Sequence, residues 1–176
     1  MDFETVVKKR RMCREYLDKD VPPEKVERIL NLASRYPSAG HTEPQEFIVL
    51  RDQQVKEALA RAALEQMFVA RAPLVIVVIS DTRRSASIYR KRGVDFYSVI
   101  DGSFAAMLVL LAVVNEGLGA CFVGGFNDRE VRHVLGLPRD VRPVGIISIG
   151  YCAEGSKKFP RRSKTQIIHH NRYEGA

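Results

Sequence analysis

The segment PLVIVVIS, residues 73–80, constrains the fold more than any other part of the sequence. It is rich in β-branched residues and is apolar at consecutive positions, so both faces of the strand that it predicts must be covered. A strand buried on both sides needs a layer of other structure above it and another below it. We therefore expect a central sheet with helices on its two faces.

Helical and strand patterns alternate along the rest of the chain. The first helix is predicted to run from a cap at Asp2 or Thr5 to about Leu17, and the second begins at the pair Pro22–Pro23. Residues 81–97 have no clear period and predict a surface loop with a short helix. The remaining predicted strands are 46–50, 119–126 and 141–151, and the remaining helices are 53–63, 98–115 and 127–138. This order favours a layered α/β or α+β domain.

The length and composition of the chain are those of one soluble domain that spans residues 1–176. The length allows a buried core, and apolar residues make up 45% of the chain. No signal peptide opens the sequence, and the apolar run Phe104–Val114 is too short to cross a bilayer. We expect a cytoplasmic protein with reduced thiols.

The ten residues from Lys8 to Leu17 hold five cations and one cysteine. On the predicted helix, Arg10 and Arg14 lie one turn apart, where two like charges cost roughly 0.2–0.5 kcal/mol. An anion between them would replace that cost with charge-assisted hydrogen bonds. A solvated basic face would explain the same residues. A nucleic-acid-binding module would account for the net charge of +7, but the chain has no recognisable docking motif.

A second stretch, YPSAGHTEPQEF at residues 36–47, separates the second helix from the first strand. Its small residues and turn formers let a backbone approach a flat ligand, and Ser38 and His41 can form hydrogen bonds. The same composition is typical of a simple connector. No G-x-G-x-x-G motif follows the first strand, which excludes a Rossmann dinucleotide site.

Together these stretches resemble motifs of the FMN-dependent nitroreductase family. Members carry R-R-S-x-R with a following aromatic residue, and then A-P-S-x-x-N-x-Q-P-W-x-F; the corresponding residues here are 10–16 and 36–47. ARAPLVIVVISD, GLGACFVGGF, LGLPRDVRPVGIISIGY and KKFPRRSKTQIIHHNRYE are similar to later family motifs in the same order. The resemblance covers nearly the whole chain. It implies a three-layer α-β-α fold of the α+β class, with a central mixed sheet, and a homodimer with FMN at its interface.

The resemblance also implies roles for individual residues. Arg10 would bind the FMN phosphate with help from Arg161 and Lys158, and Arg14 would reach the pyrimidine edge of the flavin. A cation at that edge stabilises negative charge at N1, so Arg14 is expected to affect the rate, and no residue is assigned as acid or base. The complete set of implied cofactor-binding residues is Arg10, Arg11, Met12, Arg14, Pro37, Ser38, Ala39, Gly40, His41, Gln66, Val123, Gly124, Gly125, Lys158 and Arg161.

Within this set, residues Pro37 to Gly40 would border the flavin from the partner subunit. The backbone at Gly124 and Gly125 would lie near flavin N5, and Gln66 would touch the pyrimidine or the ribityl chain. Met12 can offer only backbone groups where the family has a serine hydroxyl.

Four residues depart from the family pattern, so the pattern does not identify the substrate. They stand where the family has Asn, Gln, Trp and Trp, and they are His41, Glu43, Gln45 and Phe122. Little sequence lies between Asp81 and Asp101 to form a substrate lid, which favours an open pocket.

The implied function is that of an oxidoreductase. NADH or NADPH would reduce FMN and leave, and a small acceptor such as a nitroaromatic or quinone would then take the electrons at the same flavin face. The alternative is specialised family chemistry, namely flavin breakdown, dehalogenation or an accessory flavin domain. We expect no metal, nucleic-acid or membrane partner. Cys13, Cys121 and Cys152 are interpreted as inert, because no C-x-x-C motif supplies a redox partner.

Overall fold

The computed structural model describes residues 1–153 and 160–173 of the chain. Short 3-10 turns occur at Ala39–His41 and Lys164–Gln166, and a π-helical turn at Gly93–Tyr97. In chain order, the other elements are α1 (Phe3–Lys9), α2 (Pro23–Ala33), β1 (Gln45–Leu50), α3 (Gln53–Ala62), α4 (Phe68–Arg71), β2 (Leu74–Asp81), α5 (Thr82–Arg92), α6 (Ser98–Asn115), β3 (Gly119–Val123), α7 (Asp128–Leu135) and β4 (Val141–Gly150).

The four strands form one sheet in the order β1-β2-β4-β3. All three strand pairs are antiparallel, so the sheet is antiparallel and not mixed as predicted. An isolated parallel bridge between Met12 and Ala120 lies outside the four strands. Helices α2 and α6 cover one face, and α3, α4 and α7 cover the other. The predicted three-layer α-β-α arrangement of the α+β class is confirmed.

Strand β2 lies at the centre of both cores, as its apolar sequence predicts. Every residue of the strand is buried, and alternate side chains enter opposite layers because successive residues point to opposite faces. Ile76 and Val78 pack beneath α2 and α6, while Val75 and Val77 pack beneath α3 and α7. Burying each such side chain stabilises the fold by about 1.5–3 kcal/mol.

Helix α6 covers the sheet with most of its length. The stretch Thr82–Asn115 that contains it is long and apolar enough to cross a bilayer by length and composition, yet 56% of its most apolar window is buried inside the protein. Ala105, Val109 and Val113 are fully buried against the sheet. The apolar character of α6 is therefore explained by its position in the core.

The first helix is shorter than predicted, because α1 ends at Lys9. At Arg10 the backbone turns extended (φ −58°, ψ 122°), and the next residues run along the sheet. Cys13 N–H donates to the Ala120 carbonyl at 2.9 Å, and Leu17 N–H to the Tyr151 carbonyl at 2.8 Å. Short helices are marginal in water, so pairing with the sheet outweighs local helix propensity here. The predicted helical face shared by Arg10 and Arg14 is wrong.

Residues 81–97 were predicted to form a surface loop with a short helix, but the helix takes up residues 82–92 and little loop remains. This helix, α5, begins where the Asp81 carboxylate accepts a hydrogen bond from Arg83 N–H at 3.0 Å. The helix buries only Thr82 and Ser85. An almost fully solvated helix has no apolar stripe, so hydrophobic periodicity gives no signal for it.

The expectation of three reduced thiols is wrong for one pair of cysteines. Cys13 and Cys152 form a disulfide with their Cα atoms 6.1 Å apart, while Cys121 is free and buried. The extended segment after α1 brings Cys13 beside the residues that follow β4, where Tyr16 and Cys152 form a β-bridge.

Candidate functional site

The segment Arg10–Arg14 follows the outer edge of β3. Met12 pairs with Ala120, and its Sδ accepts a hydrogen bond from Phe122 N–H at 3.4 Å. An extended chain spans about 3.3 Å per residue, so Arg10 and Arg14 lie up to about 13 Å apart along this edge. Two cations at that separation can bind two different parts of one ligand, such as a phosphate and a ring.

Among the described residues, the cations of this segment have no carboxylate partner. Arg10 is half-buried, and Arg11 and Arg14 are exposed. Within residues 1–153 and 160–173, none of the three forms an ion pair or a side-chain hydrogen bond. The Arg14 guanidinium carbon lies 5.6 Å from the centre of the Phe68 ring, a cation–π contact that fixes its position and leaves its N–H groups available.

Hydrogen-bond donors gather where β3 ends, close to Arg14. The Gln66 side-chain amide donates to the Gly125 carbonyl at 3.0 Å and to the Ala63 carbonyl at 2.8 Å, which joins the loop before α4 to the end of β3. Gly124 and Gly125 are exposed, and neither N–H group donates a hydrogen bond to any other described residue. Free backbone donors beside a fixed guanidinium fit a ligand that presents acceptor atoms along one edge.

The aromatic residue Phe122 shapes the space behind these donors. A Cβ added at Gly145 would lie 2.1 Å from Phe122 Cε2, and one added at Gly124 would lie 3.2 Å from Cε1. The ring therefore occupies space that these two glycines leave open. Val123, between the ring and the donors, is buried, so its backbone is the part that can face a ligand.

Tyr16 holds the cationic segment against the sheet from within. Its hydroxyl donates to the Cys13 carbonyl at 2.6 Å and lies 2.7 Å from Ser148 Oγ. Burial raises the pKa of the Tyr16 hydroxyl above its usual value, so this hydroxyl stays protonated and able to donate.

The loop Pro37–His41 lies at the opposite edge of the sheet, before β1. Ser38 Oγ accepts a hydrogen bond from Glu43 N–H at 3.0 Å, and Ala39 N–H donates to the two Asp101 carboxylate oxygens at 3.1 and 3.2 Å. His41 is exposed and has a positive φ of 54°. The loop is thus folded tightly by its own polar groups.

Gly40 occupies the crowded point of this loop. Its φ is +55°, and an added Cβ would lie 2.9 Å from Tyr89 Oη. Glycine tolerates both the left-handed conformation and the close approach.

The structure brings together only part of the predicted site. The Gln66 amide bonds the Gly125 carbonyl at the end of β3, and Arg14 contacts Phe68, two residues after Gln66. Met12 pairs along the edge of β3. The loop Pro37–His41 lies across the sheet, roughly 14 Å away for three strand spacings, and cannot reach them within one chain. Arg161 is exposed and makes no contact that would join it to Arg10 among the described residues. Lys158 lies outside the described residues.

Two residues that shape these regions were not predicted from the sequence. Nothing in the sequence distinguishes Phe68, which contacts Arg14. Asp101, which anchors Ala39, is the single acid in the apolar helix α6, and an acid in such a helix indicates a buried polar contact. Its side chain is almost fully buried, and burial raises the pKa of Asp101 while the hydrogen bond from Ala39 partly offsets the rise.

Comparison with known proteins identifies the family. The model of the Nitroreductase family matches residues 7–82 and 67–151. An NADH dehydrogenase from Thermus thermophilus is 30% identical in an alignment of 181 positions that covers 88% of this chain and 88% of that protein. An FMN reductase (NADPH) from Bacillus subtilis is 25% identical in an alignment of 184 positions that covers 97% of this chain and 74% of that protein.

A solved structure agrees with this assignment. A nitroreductase family protein from Streptococcus pneumoniae superposes with a TM-score of 0.85 at 26% identity, and the match covers 96% of this chain and 99% of that one. The chain therefore belongs to the nitroreductase family of FMN-dependent oxidoreductases.

Proposed function

We propose that this chain, a single domain over residues 1–176, is a cytoplasmic homodimeric enzyme that uses FMN to pass electrons from NADH or NADPH to a small acceptor such as a nitroaromatic or quinone. One observation carries the proposal. Arg10 and Arg14, with no carboxylate partner among the described residues, flank a strand edge that ends in the free N–H groups of Gly124 and Gly125.

These residues fit FMN by their chemistry. FMN, when bound, supplies the chemistry that accepts a hydride and donates electrons. Arg10 would hold its phosphate through charge-assisted hydrogen bonds, with Arg11 and Met12 contributing backbone groups. Arg14 would face the pyrimidine edge, and the glycine N–H groups would donate near N5. Electrostatic stabilisation by a fixed guanidinium needs no reorganisation during the reaction.

The dimer in this proposal follows from the position of the loop Pro37–His41. Within one chain it lies at the far edge of the sheet, so a second chain must supply it to the cofactor. Phe104 and Met107 on α6 are 46% and 48% exposed, and large apolar side chains grouped on the outer face of a core helix favour burial against another chain.

The central experiment uses the purified full-length protein. We expect it to be yellow, to release FMN rather than FAD on heating, and to oxidise NADH or NADPH when a quinone or nitroaromatic is added. A colourless monomer that binds no FMN when offered an excess would refute the proposal. Turnover restricted to halogenated aromatics or to flavin itself would favour the specialised family chemistry instead.

Arg14 gives a sharper test of the proposed electrostatics. Arg14→Ala should slow the reduction of bound FMN by NAD(P)H roughly tenfold, or about 1.4 kcal/mol, and should weaken FMN binding by a smaller factor. Stopped-flow absorbance measures the first quantity, and fluorescence titration the second. Arg11→Ala is the matched control, because Arg11 is proposed to act through its backbone. Equal reduction rates for wild type and Arg14→Ala would contradict the role of Arg14.

A further inference from the structure

The disulfide joins two parts of the chain that the proposed function uses separately. Cys13 lies between Met12 and Arg14 in the cationic segment, and Cys152 follows β4 at the start of the basic tail, 139 residues later. Cys13 is only 5% exposed, whereas Cys152 is half-buried. A soluble thiol therefore has better access to Cys152.

The surroundings accommodate this pair in both redox states. A Cβ added at Gly119 would lie 2.0 Å from Cys152 Sγ and 3.0 Å from Cys13 Cβ, so the glycine makes room for the sulfurs. Cys13 Sγ also lies 3.2 Å from the Glu15 carbonyl oxygen. A reduced Cys13 thiol would thus have a hydrogen-bond acceptor without any rearrangement.

Reduction would loosen the cationic segment but leave it attached. The backbone bond from Cys13 to Ala120 at 2.9 Å, and the bond from Ala153 to the Glu15 carbonyl at 3.0 Å, do not depend on the disulfide. The covalent link adds a restraint one residue away from Arg14, whose side-chain position is otherwise set by its contact with Phe68.

We propose that Cys13 and Cys152 form a redox-modifiable site whose disulfide state sets how tightly the Arg10–Arg14 segment holds FMN. A dithiol reductant is the reagent that this site takes. One of its thiolates attacks Cys152 Sγ, the bond between the two cysteines breaks, and Cys13 leaves as a thiolate and gains a proton. The second thiol then releases Cys152, so that two electrons and two protons pass from the dithiol to the pair.

This inference rests on the proposed function, because FMN is the ligand whose binding changes. Linkage also makes the effect reciprocal: if the oxidised form binds FMN more tightly, bound FMN makes the disulfide harder to reduce by the same factor. The second effect is measured without any turnover.

The experiment compares apoprotein in two redox states. One sample is treated with a mild thiol oxidant and the other with dithiothreitol, and thiols are counted after denaturation in each. We expect one thiol in the oxidised sample and three in the reduced one, since the chain has three cysteines. Fluorescence titration with FMN should give a dissociation constant about fivefold or more higher for the reduced protein.

Variants separate the pair from other effects of the reagents. Cys152→Ser should bind FMN like reduced wild type with or without dithiothreitol. Cys121→Ala removes the free buried cysteine and should keep the full redox response. If Cys152→Ser does not fold, the comparison of oxidised with reduced wild type and with Cys121→Ala decides the inference.

Three results would overturn the inference while leaving the proposed function standing. The first is an oxidant-treated wild type that still shows three thiols. The second is an equal FMN dissociation constant in the two redox states, and the third is loss of the response in Cys121→Ala. Failure to bind FMN in either state would instead refute the proposed function, and this inference with it.

Discussion

The cationic segment Arg10–Arg14 and the loop Pro37–His41 occupy opposite edges of one sheet and are built in opposite ways. The segment uses its backbone to hold the sheet and leaves its guanidinium groups without carboxylate partners among the described residues. The loop uses its polar groups to bond to neighbouring parts of the protein: Ala39 N–H donates to Asp101 on α6, and Ser38 Oγ accepts from Glu43 N–H. The first region therefore offers charge to a ligand, and the second offers a rigid surface.

The largest effect should come from the cationic edge. Arg10→Ala should weaken FMN binding by about 2 kcal/mol, or roughly 30-fold, because a hydrogen bond between charged groups is lost. The FMN affinity of Arg10→Lys should fall between those of wild type and Arg10→Ala, since lysine keeps the charge but cannot bind a phosphate bidentately. Fluorescence titration of the apoproteins measures both. If Arg11→Ala weakens binding as much as Arg10→Ala, the two cations are not distinguished as we propose.

A substitution in the rigid loop should change the stability of the protein, by less than the change in FMN binding expected for Arg10→Ala. Gly40→Ala should lower the free energy of unfolding by about 1 kcal/mol more than Gly136→Ala. Both glycines have a positive φ, but an added Cβ meets Tyr89 at Gly40 and nothing within 4 Å at Gly136. Urea denaturation of the two variants isolates the steric part of the cost. If the two variants lose equal free energy of unfolding, the loop can rearrange around the added methyl group. The loop would then not be the rigid surface that we describe.

The smallest effect concerns the anchor of the loop and depends on pH. Burial raises the pKa of Asp101, so the folded state disfavours its charged form relative to the unfolded chain. The stabilisation from this group is complete below about pH 3.9, the usual value for aspartate, and is lost as the pH rises through the folded value. The free energy of unfolding of wild type minus that of Asp101→Asn should therefore decrease from pH 4 to pH 7. An increase over that range in urea titrations would show that Asp101 is instead stabilised as an anion.

The parts of the fold that local pattern determines could be predicted from the sequence. Strand β2 and helix α6 were predicted because their apolar residues directly reflect burial. The predicted cap at Asp2 accepts a backbone hydrogen bond from Thr5.

Two of the errors share a physical cause, which is that distant residues decide the structure. The segment after Lys9 becomes extended because it pairs with β3, more than a hundred residues away in the chain. The Cys13–Cys152 link has a sequence separation of 139 residues, and no local spacing reveals it. The extent of helix α5 was underestimated for another reason, since it buries too little to show a period.

The candidate site follows the same division. The chemical types of Arg10, Arg14 and the Gly124–Gly125 pair were visible in the sequence, and their roles came from the family resemblance. Their spatial relation was not visible, because a helical Arg10–Arg14 pair predicts one shared anion, whereas the extended segment separates the two charges. The cofactor-binding roles themselves remain predictions.

Residues 12–17 also act as a cover for the sheet. An unpaired strand edge presents rows of backbone donors and acceptors that can recruit another chain. A shortened protein that begins after Leu17 would uncover the outer side of β3 in a sheet whose opposite border is β1. Such a protein would lose more than its arginines: it would gain a surface suited to edge-to-edge aggregation.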